Sequence, residues 1–456
     1  MLSGAKFAVG DWRHLDDIRS ARPGCAVVVG VSADDSRTPL REVETHGDFE
    51  DVFAKTGGLI LYLDPHDSWI NADVITKQCR HHAQPDPMMS FCIPYRSTPD
   101  NDARNDGMIN SFVCTPDVFA DALRRFEGRG GQASLCYSAA VAAFNQKQAA
   151  SFHVVSDRRS ESSSLPIRRD AVAVVIPHRG ELQRLESCLR ISTSALHGGQ
   201  FFVAFDEVVN ASHMRMVEAF PNVTFFSTCP QHVGPYVLRQ FLAEYSEAEF
   251  ILFQDSDDAS CETRLEVQHD LAVSSGADIV GCHQIFVDEI KGNVQARRFP
   301  VDVNAALNCG AVQAQLHPTT LVRRKALLQA GGFSTRRRFG SDREFLFRAH
   351  FSSRIVNCDA FLYVRFRREG SLTTSPKTAM GTRFRRLLGG IWLKEFAAVR
   401  NGQKSVVESG IRVRHLHRKA YEFKELRTGR MHVYCPSDGG VVDAAAIVAA
   451  SAKILP

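Results

Sequence analysis

Phe250-Ile-Leu-Phe-Gln-Asp255-Ser-Asp257-Asp258 runs an unbroken apolar stretch straight into three carboxylates. A short apolar run with no polar alternation fits a strand buried on both faces, as in a parallel sheet. If strand geometry continued past Phe253, Asp255 and Asp257 would share a side. Like charges held together repel, and a bound cation or a proton relieves that cost. Oxygen-only ligands suit a hard divalent ion, Mn²⁺ or Mg²⁺. An isolated Asp-x-Asp is more often a turn or a helix cap. The position at a strand end is what raises the metal reading here.

Upstream of this stretch, apolar runs alternate with helical patterns. Ala171-Val-Ala-Val-Val-Ile176 reads as a buried strand that stops at Pro177-His178-Arg179-Gly180. Leu182, Leu185, Leu189 and Ile191 then recur at roughly helical spacing. Phe201-Phe-Val-Ala-Phe205 reads as a strand ending at Asp206, Val223-Thr-Phe-Phe226 as another, and Val237 to Tyr245 as a helix. Strands alternating with helices predict an α/β fold with a mostly parallel sheet. Such sheets bind ligands at the carboxyl ends of their strands, where Asp206 and Asp255 fall.

Downstream, Leu316 to Phe333 reads as strand, turn, short helix and Gly-Gly stop. Asp342 opens a predicted helix in Phe339-Gly-Ser-Asp342-Arg-Glu344-Phe-Leu-Phe-Arg348. Tyr363-Val-Arg365-Phe-Arg367-Arg368-Glu-Gly-Ser-Leu-Thr373 follows.

In this order and spacing, the segments resemble the family-2 inverting glycosyltransferases of the GT-A fold. The resemblance covers about 171–376 and rests on five segments. They are the strand ending Val-Val-Ile-Pro177-His-Arg-Gly180, the Gln-Asp255-Ser-Asp257-Asp258 motif, Arg323 to Phe333, Ser341-Asp342-Arg-Glu344-Phe, and Arg365 to Thr373. It implies that Pro177, His178, Arg179 and Asp206 border the nucleotide of a sugar donor. Asp255 and Asp257 would hold the cation, with Asp258 supporting or also ligating. Asp342 would be the general base and His317 would line the pocket floor. Arg365, Arg367 or Arg368 would face the diphosphate. The donor would be a UDP-, GDP- or dTDP-linked sugar, and the acceptor a glycan, a lipid-linked molecule or a small molecule. The chain departs from the family at His178-Arg179-Gly180, where Tyr-Asn or Arg-Asn is usual. It departs again at Asp206-Glu207, where Asp-Asp-Gly-Ser is usual, and at Ser341, where a second acid usually precedes the base.

The polar stretch Asp157 to Asp170, with its serines and Pro166, reads as a linker. Ahead of it, Gly58-Leu-Ile-Leu-Tyr-Leu-Asp64-Pro-His66-Asp67 parallels Phe250 to Asp258, and Asn110 to Phe119 parallels Pro318 to Leu327. Residues 1–165 are therefore expected to form an α/β domain resembling a degenerate GT-A repeat. No acid there matches Asp342, and Asp64, His66 and Asp67 are better read as a surface turn than as a metal site. Residues 166–385 are the expected catalytic domain and 386–456 a helical extension. Within that extension, Ile411 to Arg430 reads as a basic helix and Val441 to Leu455 as a packed one.

The chain has 456 residues, of which 44% are apolar and 23% charged, with a formal net charge of +4. That is a globular composition spread over more than one domain. The charge is uneven: residues 320–430 hold 26 Lys and Arg against 8 Asp and Glu. Twelve cysteines without a C-x-x-C pair argue against a zinc ribbon or a disulfide scaffold. No apolar run is long enough to span a membrane, and the N-terminus lacks a secretory pattern. The expectation is a cytoplasmic protein, with a peripheral position at the inner membrane face left open. G-x-G-x-x-G, G-x-x-x-x-G-K-[ST], H-E-x-x-H and G-x-S-x-G are all absent. Two other readings use the same residues: a nucleotidyltransferase or phosphohydrolase built on the Asp cluster, and an inactive binding protein of this fold. Nucleic acid is not an expected partner.

Overall fold

The computed structural model describes residues 7–11, 26–31, 41–43, 59–63, 88–93, 107–129, 133–146, 151–155, 171–229, 232–376, 378–379, 381–416, 420–436 and 441–443. The readings at Asp64, His66 and Asp67, at the 157–170 linker and at 444–455 lie outside them.

The N-terminal part contributes β1 (Phe7–Asp11), β2 (Ala26–Val31), β3 (Arg41–Val43), β4 (Leu59–Leu63), β5 (Met88–Cys92), β6 (Gly107–Met108), β7 (Phe112–Cys114) and β8 (Ser151–Val155). Helices α1 (Pro116–Gly128) and α2 (Leu135–Phe144) lie between the last two strands. From residue 171 follow β9 (Val172–His178), α3 (Leu182–Ala195), β10 (Gln200–Phe205), α4 (Ala211–Ala219), β11 (Val223–Cys229), α5 (Pro235–Tyr245) and β12 (Phe250–Phe253). Next come β13 (Ala259–Ser260), α6 (Arg264–Ser275), β14 (Ile279–Asp288), β15 (Asn293–Arg297), α7 (Val303–Asn308), β16 (Leu321–Arg323) and α8 (Arg324–Gln329). The chain continues through α9 (Ser341–Ala349), β17 (Ile355–Arg367), α10 (Arg383–Arg400), β18 (Tyr421–Glu425), β19 (Met431–Tyr434) and β20 (Val441–Asp443).

The fold is α/β, with a large mixed sheet in the order β13-β17-β14-β16-β12-β9-β10-β11-β18-β19-β20. Its centre, β12-β9-β10-β11, is parallel. Strand β9 shows why: all seven of its residues are buried. Val172, Val174 and Ile176 pack with Leu185 and Leu189 of α3 on one face. Ala173 and Val175 pack with Val237 and Phe241 of α5 on the other. A strand covered by helices on both faces needs apolar residues at every position. Because β9, β10 and β12 run parallel, their carboxyl ends bring His178, Asp206 and Asp255 to one rim.

The smaller sheet has the order β3-β1-β2-β4-β7-β5-β8. Its β4-β7-β5-β8 half pairs antiparallel, antiparallel, parallel. The β12-β16-β14-β17 half of the large sheet pairs in the same sequence of directions. In both, the second strand in that series leads directly into a helix, and a further helix precedes the last strand. The other halves differ, since β2 meets β4 antiparallel whereas β9 meets β12 parallel. The two parts share one core, in which Phe144 of α2 lies against Phe366 of β17 with ring centroids 4.4 Å apart. Strand β6 adds to the large sheet by pairing with β15.

The expected C-terminal helices are only partly present. Helix α10 forms, but the described residues of 411–430 are not helical, and β18, β19 and β20 instead extend the large sheet antiparallel beyond β11. The reason is a two-residue alternation: Tyr421 and Phe423 are buried while Glu422 and Lys424 are exposed. Phe423 stacks on Phe241 of α5 at 3.6 Å between centroids, which burial alone makes worth about 1.5–3 kcal/mol. Val441 to Asp443, expected at the start of the second helix, is a strand.

Candidate functional site

The three aspartates after β12 are each held by a different partner. Asp255 Oδ1 accepts a short hydrogen bond from Arg239 Nη2 of α5. Asp257 Oδ2 accepts from Arg368 Nε at 3.1 Å. Asp258 is 2% exposed, and its oxygens accept from the Tyr363 hydroxyl at 2.8 Å and from the Phe366 backbone N–H at 2.8 Å. Asp258 is thus tied into β17. Among the described residues no group of three or more His, Cys, Asp or Glu is arranged to hold a metal ion. The expected three-aspartate ligand set is therefore not assembled, because Asp258 turns into the sheet.

Asp255 and Asp257 remain a fit for a divalent cation. Each leaves its second carboxylate oxygen without a hydrogen bond among the described residues. Burial and the charge of Asp255 push the Asp257 carboxyl up, against the opposing pull of Arg368 and Arg184. Burial, Asp257 and Asp255 push Asp258 well up. Two hard-oxygen donors, each with one open oxygen, among carboxylates whose mutual repulsion the arginines only partly offset suit Mn²⁺ or Mg²⁺.

Beneath this loop lies Arg264 of α6, fully buried and with all five of its N–H groups used. Nε donates to Gln268 Oε1, and Nη1 to Gln254 Oε1 and Ser260 Oγ, each at 3.0 Å. Nη2 donates to the carbonyls of Phe253 at 3.0 Å and Pro318 at 2.9 Å. One side chain thereby joins the end of β12, strand β13 and the turn that carries His317. Its guanidinium also lies 4.9 Å from the Tyr363 ring, whose hydroxyl accepts from the Asp255 N–H.

Asp342 sits in the first turn of α9, where the helix dipole favours a carboxylate. Its Oδ1 accepts from the Tyr236 hydroxyl at 2.9 Å, and the same hydroxyl accepts from the Gly340 N–H at 3.2 Å. Burial pushes Asp342 up, but His317, the Tyr236 hydrogen bond and the charge of Arg239 outweigh it, so its carboxyl lies below the usual range. Arg239, 6% exposed, therefore acts on both Asp255 and Asp342. His317 packs against Phe253 and Phe333 with its Nε2 buried and unpartnered. Burial and Arg239 push its pKa down to about 3, so the ring is neutral near pH 7.

The remaining expected residues divide. Pro177 is the penultimate residue of β9 and is buried, and Arg179 is exposed just beyond the strand. His178 turns inward, Nδ1 lying 2.9 Å from Ser256 Oγ, which fastens the β9 end to the aspartate loop. Burial, His213 and Arg368 push its pKa down to about 3. Asp206 is buried, and its two oxygens accept from the N–H groups of Val233 at 2.7 Å and Gly234 at 2.9 Å. It holds the turn that starts α5. Arg367 pairs with Asp288 at 2.8 Å, and Arg365 lies over Phe286. Of the three arginines, Arg368 is the one bonded to the aspartate loop. Tyr236, Arg239, Arg264 and Tyr363 were not singled out from the sequence. The available signal was an arginine three residues after an aromatic at the start of the helix read over Val237 to Tyr245.

No protein-family model matches the chain, and no curated protein matches it. Among solved structures, S. aureus TarS 1–349 in complex with UDP-GlcNAc is 18% identical over 52% of this chain and 77% of that one, with a TM-score of 0.39. TarS 1–349 itself is 17% identical over 52% and 76%, with a TM-score of 0.37. The mannosyltransferase PcManGT from Pyrobaculum calidifontis in complex with GDP-Man and Mn²⁺ is 14% identical over 62% and 76%, with a TM-score of 0.38.

Proposed function

We propose that the chain transfers a sugar from a nucleoside-diphosphate donor to an acceptor hydroxyl, with inversion, as an enzyme of GT-A architecture. The observation that carries this reading is the joint action of Arg239 on Asp255 and Asp342, residues from two separate segments. A paired carboxylate site at a strand end and an ionised carboxylate at a helix start lie on either side of one buried cation.

Asp255 and Asp257 are the residues that would hold a divalent ion, which when bound supplies positive charge to the diphosphate of the donor. Arg239 and Arg368 hold these carboxylates by one oxygen each and add charge where the leaving group develops. Asp342, kept ionised, takes the proton of the acceptor hydroxyl as that oxygen bonds to the anomeric carbon. The bond from that carbon to the diphosphate oxygen breaks, and its electron pair leaves with the diphosphate. Attack from the face opposite the leaving group inverts the centre. General-base assistance of this kind typically contributes about 10²–10⁴-fold. Asp258, His178 and Asp206 are positioning residues in this scheme.

Residues 1–165 are read as a degenerate copy of the same unit, supported by the recurring strand order. Its helix α2 starts at Leu135 with no acid in the first turn, so this copy supplies no base. The full chain incubated with nucleotide sugars, an acceptor mixture and Mn²⁺ is expected to release nucleoside diphosphate. Asp342→Asn should lower that rate by about 10²-fold or more. Release of pyrophosphate instead would identify a nucleotidyltransferase, and no release under any donor would leave a binding protein.

A further inference from the structure

Helix α10 carries apolar residues on two faces. Leu388, Trp392 and Phe396 are buried and dock the helix on the core. Phe384, Leu387 and Ile391 stand at i, i+3 and i+7, the spacing of a single helical face, and are 57%, 62% and 47% exposed. Leu372, also exposed, is drawn to this helix by the hydrogen bond from Arg385 Nη2 to its carbonyl at 3.1 Å. Three large apolar side chains in a row on solvent are a standing cost that a partner removes.

The charges around the stripe select that partner. Arg383 and Lys394 lie at helical spacing from Leu387 and Ile391, Arg386 is exposed beside them, and no acid interrupts 383–394. Arg383 and Arg386 make no ion pair among the described residues. An exposed apolar face bordered by unpaired cations on a helix too polar to cross a bilayer fits an interfacial helix on an anionic lipid surface.

We propose that α10 docks the protein on an anionic membrane surface through Phe384, Leu387 and Ile391, with Arg383, Arg386 and Lys394 facing lipid headgroups. The placement matters for the candidate site. Phe384 contacts Phe339 edge to face at 5.8 Å, three residues before Asp342, and Trp392 closes over Gly340. A membrane bound there would lie beside the helix start that holds Asp342.

The test is flotation of the full chain with vesicles of phosphatidylcholine alone, or containing about a third phosphatidylglycerol. Binding is expected on the anionic vesicles, with far less on the neutral ones. Leu387→Ser/Ile391→Ser should weaken it about tenfold at an unchanged unfolding midpoint, because both side chains already face water. Arg383→Gln/Arg386→Gln and raised salt should weaken it as well. The proposal fails if vesicles do not capture the chain, if neutral vesicles bind equally, or if the serine variant binds like the parent. It also fails if the parent is a dimer that the serine variant dissociates, since the stripe then serves a second copy. None of these readouts depends on transferase activity.

Discussion

The Tyr236 hydroxyl donates to Asp342 Oδ1 at 2.9 Å, joining the first turn of α5 to the first turn of α9 across 106 residues of chain. This bond works with His317 and Arg239 to keep the Asp342 carboxyl below its usual range despite burial. A depressed carboxylate stabilises the fold at pH values above its unfolded pKa, and that stabilisation is lost as pH falls through the folded pKa. Tyr236→Phe removes one of the lowering contacts. The acid limb of kcat/KM is expected to move to higher pH, with a stability loss of about 1 kcal/mol at neutral pH that shrinks in acid. An acid limb at the parental pH in Tyr236→Phe would show that Asp342 is not the group whose ionisation controls the rate.

Asp257 has the opposite shift. Burial and Asp255 raise its carboxyl, so at neutral pH the folded state bears a charge it holds poorly. A cation shared by Asp255 and Asp257 removes that burden. Mn²⁺ is expected to raise the unfolding temperature, by an amount corresponding to about 2.7 kcal/mol at a hundredfold excess over Kd. Asp257→Asn should abolish the shift while leaving the metal-free protein as stable as the parent or more so. Differential scanning fluorimetry against a Mn²⁺ series reads both, and a parental shift in the variant excludes Asp257 as a ligand.

Among the described residues Arg264 is a buried cation with no carboxylate partner, satisfied by neutral acceptors from three segments and by the Tyr363 ring face. Arg264→Met strips bonds from Gln254, Ser260 and two buried carbonyls at once. The expected cost is about 3–5 kcal/mol in denaturant unfolding, with Arg264→Lys recovering little, because an ammonium lacks the planar five-donor fork. A cost below about 1 kcal/mol would mean that these acceptors find other partners.

Gly340 precedes Asp342 with φ at +83°, and a Cβ there would come within 2.6 Å of the Trp392 ring. Gly340→Ala meets both backbone strain and a clash with a packed indole. The expected loss is about 1–3 kcal/mol, accompanied by lower kcat from a displaced Asp342. Crystallography of the variant would locate the displacement. An unchanged unfolding curve would show that Trp392 gives way freely.

The α/β class was legible at β9 and β12 because total burial leaves a signature any reader of the chain can see. At Asp255, Asp257 and Asp342 the sequence offers charge at an element boundary, and the proposed site is built on that signal. Asp206 and His178, expected beside a nucleotide, are bonded within the fold. A polar residue at a strand end looks the same whether it faces a ligand or, as here, secures a neighbouring turn. Arg239 and Arg264 were invisible because a lone arginine on a helix looks solvated until the turns that bury it are in place. Ile411 to Arg430 read as a basic helix, and within it the alternation of Tyr421 and Phe423 was the better guide.

Local pattern therefore determined which segments become buried strands, and that three aspartates follow one of them. That information is periodic and sits in contiguous residues. Only the tertiary structure decided which carboxylate oxygens stay open, which arginine pairs with each carboxylate and which helix packs over Gly340. Those outcomes depend on directions of side chains brought together over a hundred residues of chain, and hydrogen-bond geometry of that kind has no period to read.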